Sequence, residues 1–167
     1  MAANHSALTT GVDIVEISRI ARVMAQFGER FLGRVYTPAE VRLAAGRPAE
    51  LAARFAAKEA VAKALGVGMK MLSATGIGWR DVEVLSRPSG QPTLILRGQA
   101  KTLAEEQGWT EWAISLSHDG GIAIAFVVAL GMNQEVHQKS ATLSNSKSDA
   151  DSRRFSQIKS KIGVHQR

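Results

Sequence analysis

Residues 54–68 read RFAAKEAVAKALGVG, an alanine-rich run that sets Glu59 and Lys63 four residues apart and ends on the glycines of GVG. Its helix formers predict a helix over about Glu50 to Leu65, stopped at Gly66, the residue type best able to take the left-handed turn beyond a helix. Alanines at 56, 57, 60 and 62 leave room for another backbone or a ligand to approach closely. Two readings of Glu59 follow. It makes a routine i, i+4 pair with Lys63, worth about 0.3–0.5 kcal/mol when exposed, or it is a carboxylate turned toward something outside the helix.

Upstream of this helix, TTGVDIV (residues 9–15) reads as a strand, and Ile17, Ile20, Ala21, Met24 and Phe27 then recur at helical spacing, giving an amphipathic helix that closes at Gly28. Thr37-Pro38-Ala39-Glu40 matches a capping box with proline at the first helical position, and opens a short helix ended by Gly46 and Pro48. Downstream, WRDVEVL (79–85) and PTLILRG (92–98) read as strands joined across Arg87–Gln91, and Gln99 to Gln107 as a helix closed by Gly108. EWAISLSH (111–118) and IAIAFVVAL (122–130) form a second hairpin around Asp119-Gly120-Gly121. The last strand is almost wholly apolar and reads as central and buried. Strand, helices, hairpin, helix, hairpin is an α+β order, with a small antiparallel sheet packed against helices.

The 167 residues suit one domain over 1–130 with an appendage over 131–167. The appendage is rich in Ser, Lys, Gln, Asn and Asp and reads as a disordered or loosely docked tail. It also holds most of the basicity: fourteen Lys/Arg face twelve Asp/Glu up to Leu130 (+2), and seven face three beyond it (+4), which sums to the net +6. The nearly neutral domain argues against a nucleic-acid partner. With no cysteine, disulfides and thiolate metal sites are excluded, so any metal is held by oxygen or histidine nitrogen. MAANHSALTT has no signal-peptide pattern, and no apolar run reaches the roughly 18 residues of a membrane span. The expectation is a soluble cytoplasmic protein with no membrane partner.

Four positions invite a chemical reading. Asp13 stands in an otherwise apolar strand, where a carboxylate needs a cation, a donor or water; it is either a strand-end cap for the next helix or a ligand. His118, beside Asp119, is a turn residue or a ligand, and Ser115 and Ser117 share one face of its strand without forming a recognisable triad. Arg19 and Arg22 share the exposed side of the first helix, as a solvated face or as a surface for an acidic partner. No HExxH, Walker or dinucleotide glycine pattern is present.

In this order, over about residues 9–129, the segments GVDIVEISRI, FLGRVYTPAE, RFAAKEAVAKALGVG, WRDVEVL with SGQP, and ISLSH closely resemble the holo-(acyl carrier protein) synthase family of the 4'-phosphopantetheinyl transferase superfamily. The resemblance implies a Mg2+-dependent transfer of 4'-phosphopantetheine from coenzyme A to a serine of apo acyl carrier protein, for fatty-acid synthesis. It implies a homotrimer with active sites at subunit interfaces. By motif position, it implies Asp13 and Glu59 as Mg2+ ligands, and Glu59 and Lys63 as catalytic groups. It further implies coenzyme A contacts at Lys63, His118, Arg54 and Gly66, and carrier contacts at Arg19, with Arg22 on the same helix face. The family often has threonine after the histidine, where this chain has Asp119. Two other readings compete: the same chemistry on a polyketide or other secondary-pathway carrier, and a non-catalytic basic module that uses Arg19, Arg22 and the Lys/Arg-rich tail to bind an acidic protein or nucleic acid.

Overall fold

The computed structural model describes residues 5–70 and 76–133. The expected tail over 131–167 falls almost wholly outside the described residues. The described chain runs β1 (His5–Glu16), α1 (Ile17–Val35), α2 (Pro38–Ala44), α3 (Pro48–Ala64), β2 (Val82–Ser86), β3 (Pro92–Leu96), α4 (Gly98–Glu106), β4 (Trp109–Asp119) and β5 (Ile122–Asn133). β2 and β3 form an antiparallel hairpin, and a three-stranded sheet has the order β1-β5-β4. This is the expected α+β arrangement.

α3 is the hub. It packs against β1, α1, α2, β2 and β4, and its small side chains explain how so many elements reach it. Ala52, Ala53, Ala56, Ala57, Ala60, Ala62 and Ala64 are all buried. The closest approach is to β1: a Cβ on Gly11 would lie 1.9 Å from the Ala60 carbonyl oxygen, so only glycine lets the strand lie this near the helix. Thr9 Oγ1 also donates to the Ala64 carbonyl at 2.9 Å. Gly66 (φ 69°) closes α3 with the expected left-handed turn, in which Gly66 N donates to Lys63 O and Val67 N to Ala62 O. Pro48 occupies the first turn of α3, which starts slightly before the expected Glu50.

The capping box of α2 is present: Thr37 N donates to Glu40 Oε2 at 2.8 Å, and Glu40 N to Thr37 Oγ1 at 3.3 Å. The β4–β5 hairpin closes on Gly120 (φ 55°) and Gly121 (φ 83°), the pair of positive φ values that suits the twist of a two-residue turn. Gly121 O then accepts from Ile17 N at 2.9 Å, tying this turn to the start of α1.

Three expectations need correction. The first helix does not end at Gly28: that residue takes a non-helical conformation (φ 50°, ψ −129°), and helical structure resumes beyond it to Val35. Trp79–Asp81 is a 3-10 turn, because Asp81 Oδ2 accepts from Gly78 N at 2.8 Å and tightens the chain there; the strand begins at Val82. Finally, β5 is central but buried on one face only. Ala123, Ala125, Val127 and Ala129 face the core, whereas Ile122, Ile124, Phe126 and Leu130 are exposed. The three-stranded sheet carries its covering on one side, so the alternate residues of an apolar strand face outward.

Candidate active site

Between Leu51 and Ala64 every α3 residue is buried except Phe55, Glu59 and Lys63. Each follows the last by four, so they form one open stripe down the helix. Asp13 of β1 lies beside this stripe, carried there by the close contact of Gly11 with Ala60. Lys63 Nζ donates to Asp13 Oδ1 at 2.9 Å and to Val12 O at 2.9 Å. The expected pair between Glu59 and Lys63 is therefore not made; among the described residues, the ion pair of Lys63 is with Asp13. A packed strand offers a second acceptor, the Val12 carbonyl, that Glu59 cannot supply.

Glu59 titrates above the ordinary glutamate range. Burial is the main cause, and the neighbouring Asp13 carboxylate adds to it, while Lys63 and Arg19 act in the opposite sense. Asp13, Glu59 and Arg19 line a common cavity of about 660 Å³ between β1, α1 and α3. Its remaining wall is largely apolar and aromatic, including Phe27, Phe31, Phe55 and Trp79, with the Phe55 and Trp79 rings 4.5 Å apart and tilted by 34°. Arg30 and Arg34 complete a basic side. Both lie on the helical segment past Gly28, so ending that helix at Gly28 hid them; their i, i+4 spacing was the available signal.

A cation in this cavity would meet two carboxylates, from Asp13 and Glu59. Both line the same cavity, and the Asp13 carboxylate is one cause of the upward shift of Glu59. Among the described residues no group of three or more His, Cys, Asp or Glu side chains could hold a metal ion. Two oxygen ligands with the rest left to water and phosphate suit Mg2+, which seldom takes an all-protein cage. The donor set fits.

Arg54 and His118 lie elsewhere. Arg54 is only 3 % exposed, and its Nη1 donates to Glu50 Oε2 at 2.7 Å and to Glu50 O at 3.0 Å. Its Nε has no partner among the described residues. That hydrogen bond, above all, holds Glu50 below the usual carboxylate range, and the charges of Arg47 and His118 act in the same direction. The His118 charge thus reaches Glu50, in the first turn of α3, and neither His118 nor Arg54 lines the cavity that holds Asp13 and Glu59. Arg22 is exposed and is not part of the cavity wall, unlike Arg19. Gly66 sits past the end of α3, with open space around its Cα.

Sequence reasoning passed over Lys58. Although adjacent to Glu59, it is wholly buried, and its Nζ donates to Glu40 Oε2 at 2.9 Å, to Trp79 O at 3.0 Å and to Val82 O. Burial lowers its pKa, opposed by the Glu40 carboxylate. Glu40 also accepts from Val84 N at 2.9 Å. Thr37 Oγ1 donates to Glu83 Oε1 at 2.7 Å, and Arg97 Nη2 to Glu83 Oε2 at 2.6 Å.

Comparison with known proteins places this architecture. The family model of the 4'-phosphopantetheinyl transferase superfamily matches residues 9–127. The holo-[acyl-carrier-protein] synthase of Herpetosiphon aurantiacus is 48 % identical over 126 residues, covering 74 % of this chain and 99 % of the relative. That of Koribacter versatilis is 46 % identical over 124 residues, covering 72 % and 96 %. Among solved structures, the holo-[acyl-carrier-protein] synthase of Helicobacter pylori in complex with coenzyme A is similar at TM-score 0.64 and 33 % identity, covering 72 % of this chain and 98 % of that one. The enzyme from Neisseria meningitidis gives TM-score 0.63 at 37 % identity, covering 72 % and 96 %. With the family match spanning both β1 and the α3 stripe, the chain belongs to the holo-(acyl carrier protein) synthase family of the 4'-phosphopantetheinyl transferase superfamily.

Proposed function

We propose that this protein transfers the 4'-phosphopantetheine of coenzyme A to a serine of apo acyl carrier protein, in the cytoplasm and for fatty-acid synthesis. The observation that carries the reading is the juxtaposition of Asp13 and Glu59, from two distant parts of the chain, in one cavity with basic and aromatic walls.

In the reaction, the serine oxygen forms a bond to the phosphorus that bears pantetheine. The bond from that phosphorus to the bridging oxygen breaks, and adenosine 3',5'-bisphosphate leaves with the electron pair. Asp13 and Glu59 would hold Mg2+, which when bound supplies charge neutralisation at the pyrophosphate and its leaving group. The serine proton needs an acceptor. Glu59 and a water beside it are the two candidate acceptors. Lys63, half-exposed and steered by Val12 O and Asp13, keeps a positive charge at the mouth of the site for a phosphate oxygen.

Arg19, Arg30 and Arg34 on the cavity side of α1, with Arg22 nearby, suit an acidic carrier; opposite charge raises the on-rate and makes it salt-dependent. Arg54, whose Nε has no partner among the described residues, and His118 suit a phosphate of coenzyme A at the N-terminal part of α3. Gly66 would let a ligand pass close to the backbone after α3. Neither Arg54 nor His118 lines the cavity of Asp13 and Glu59, which favours a site shared by neighbouring subunits. The exposed apolar face of β1 and β5, with Leu8, Ile14, Ile122, Ile124 and Phe126, supports a homotrimer built through that sheet.

The test is to incubate the protein with coenzyme A, Mg2+ and a panel of purified apo carriers from fatty-acid and polyketide pathways, and to read carrier mass. The fatty-acid carrier should gain one phosphopantetheine, and a chelator should abolish the gain. Preference for a polyketide carrier would reassign the pathway. No gain on any carrier would leave only a binding role.

A further inference from the structure

Glu59 reaches the cavity without an ion-pair partner of its own among the described residues. Its direction is therefore set by the rotation of α3 about its axis. The neighbouring residue fixes that rotation: Lys58 turns the other way, into the protein, and spends all three ammonium protons on Glu40 Oε2, Trp79 O and Val82 O. These acceptors belong to α2, the 3-10 turn and β2, three elements distant in sequence from α3 or from one another. Glu40 takes Thr37 N and Val84 N, and Thr37 leads on to Glu83 and Arg97. One of them, Trp79, also forms the aromatic wall of the cavity against Phe55.

We propose that Lys58 is a positioning residue for the reaction: by locking α3 to α2, the 3-10 turn and β2, it aims Glu59 at the metal position and sets the Trp79 wall. A helix advances about 100° per residue, so a small rotation released at position 58 swings the Glu59 carboxylate directly. Outer partners of this kind typically change metal affinity or activity by about 10–100-fold when lost. A buried ammonium is a specific choice here. An apolar side chain would fill the same space without fixing a rotation, since packing alone has no directional bonds.

This inference rests on the reading of Asp13 and Glu59 as the metal-holding pair, and the test separates the two. Mn2+ binding to the full chain with coenzyme A present would be followed by electron paramagnetic resonance for wild type, Lys58→Met and Val61→Ala. The last removes packing from the same helix without touching the network. Thermal unfolding is measured in parallel. Lys58→Met should weaken Mn2+ binding at least about tenfold, and Val61→Ala less than about twofold at a similarly lowered unfolding midpoint. If Lys58→Met does not fold, Glu40→Gln, which keeps the shape and removes the charge, should show the same weakening. Wild-type affinity in the folded Lys58→Met or Glu40→Gln protein, or equal weakening in Val61→Ala, overturns the positioning role. Failure of the wild type to bind Mn2+ overturns the metal reading and the inference with it.

Discussion

Lys63 bridges from α3 to Asp13 on β1, with Nζ 2.9 Å from Oδ1, instead of pairing with Glu59 one turn back on its own helix. The site is thereby stitched across the β1–α3 contact. Lys63 also opposes the upward shift of Glu59. Replacing it with methionine should raise the Glu59 pKa further, so the acid limb of turnover moves to higher pH while kcat falls by about 10²–10³. A pH–rate profile of Lys63→Met against wild type checks both effects.

Gly11 determines whether that contact can exist. A methyl group there would meet the Ala60 carbonyl at 1.9 Å, and backbone cannot give way as a side-chain tip can. Gly11→Ala should cost about 1–3 kcal/mol or more in urea unfolding. It should lower turnover in whatever fraction remains folded, because β1 carries Asp13 away with it.

Glu59 should reduce stability while serving the site. Its pKa is raised in the folded state, so between the ordinary glutamate value and that raised value the native chain holds a proton that the unfolded chain has lost. Stability therefore falls as pH rises through this window. Glu59→Gln, without metal, should unfold at the same or a higher temperature than wild type at neutral pH, even as activity is lost. Calorimetry at pH 4 and pH 7 reads the difference, which should be larger at pH 7.

Glu83 has the opposite sign. The Thr37 hydroxyl, and then Arg97, hold its carboxyl below the usual range, so the stability it contributes is present above about pH 4.3 and is lost as pH falls through the depressed value. Glu83→Gln should flatten the acid side of the stability curve in urea titrations at stepped pH.

The outward face of β5 should carry subunit association. Phe126 is 44 % exposed in the single chain, and placing a charge there would leave it unpaired against apolar neighbours. Light scattering should give three chains per particle for wild type and one for Phe126→Glu. Three chains in the variant would place the interface elsewhere.

The elements that local patterns specify were legible in the sequence. The Thr37–Glu40 capping box, the Gly66 stop and the Gly120-Gly121 hairpin each depend on residues within one turn, and all appear as expected. What escaped the sequence depends on distant partners. Glu40 was readable as a cap, but not as the partner of Lys58, 18 residues on, or of Val84 N, 44 residues on. Lys63 had a ready local partner and took one 50 positions away. Apolarity on both faces of β5 reads the same whether its second face is covered by this chain or by another. The helix past Gly28 was missed because glycine usually ends a helix, and Arg30 and Arg34 went with it.

The central claim is that Asp13 and Glu59 act as one pair. Turnover of coenzyme A onto apo carrier at saturating Mg2+, measured for Asp13→Ala, Glu59→Ala and the double variant with folding checked by circular dichroism, tests it most directly. Each single substitution should cost at least about 100-fold, and the double variant should lose little more than the worse single one, as expected for groups serving one ion. Near-normal turnover in either folded single variant would contradict the account.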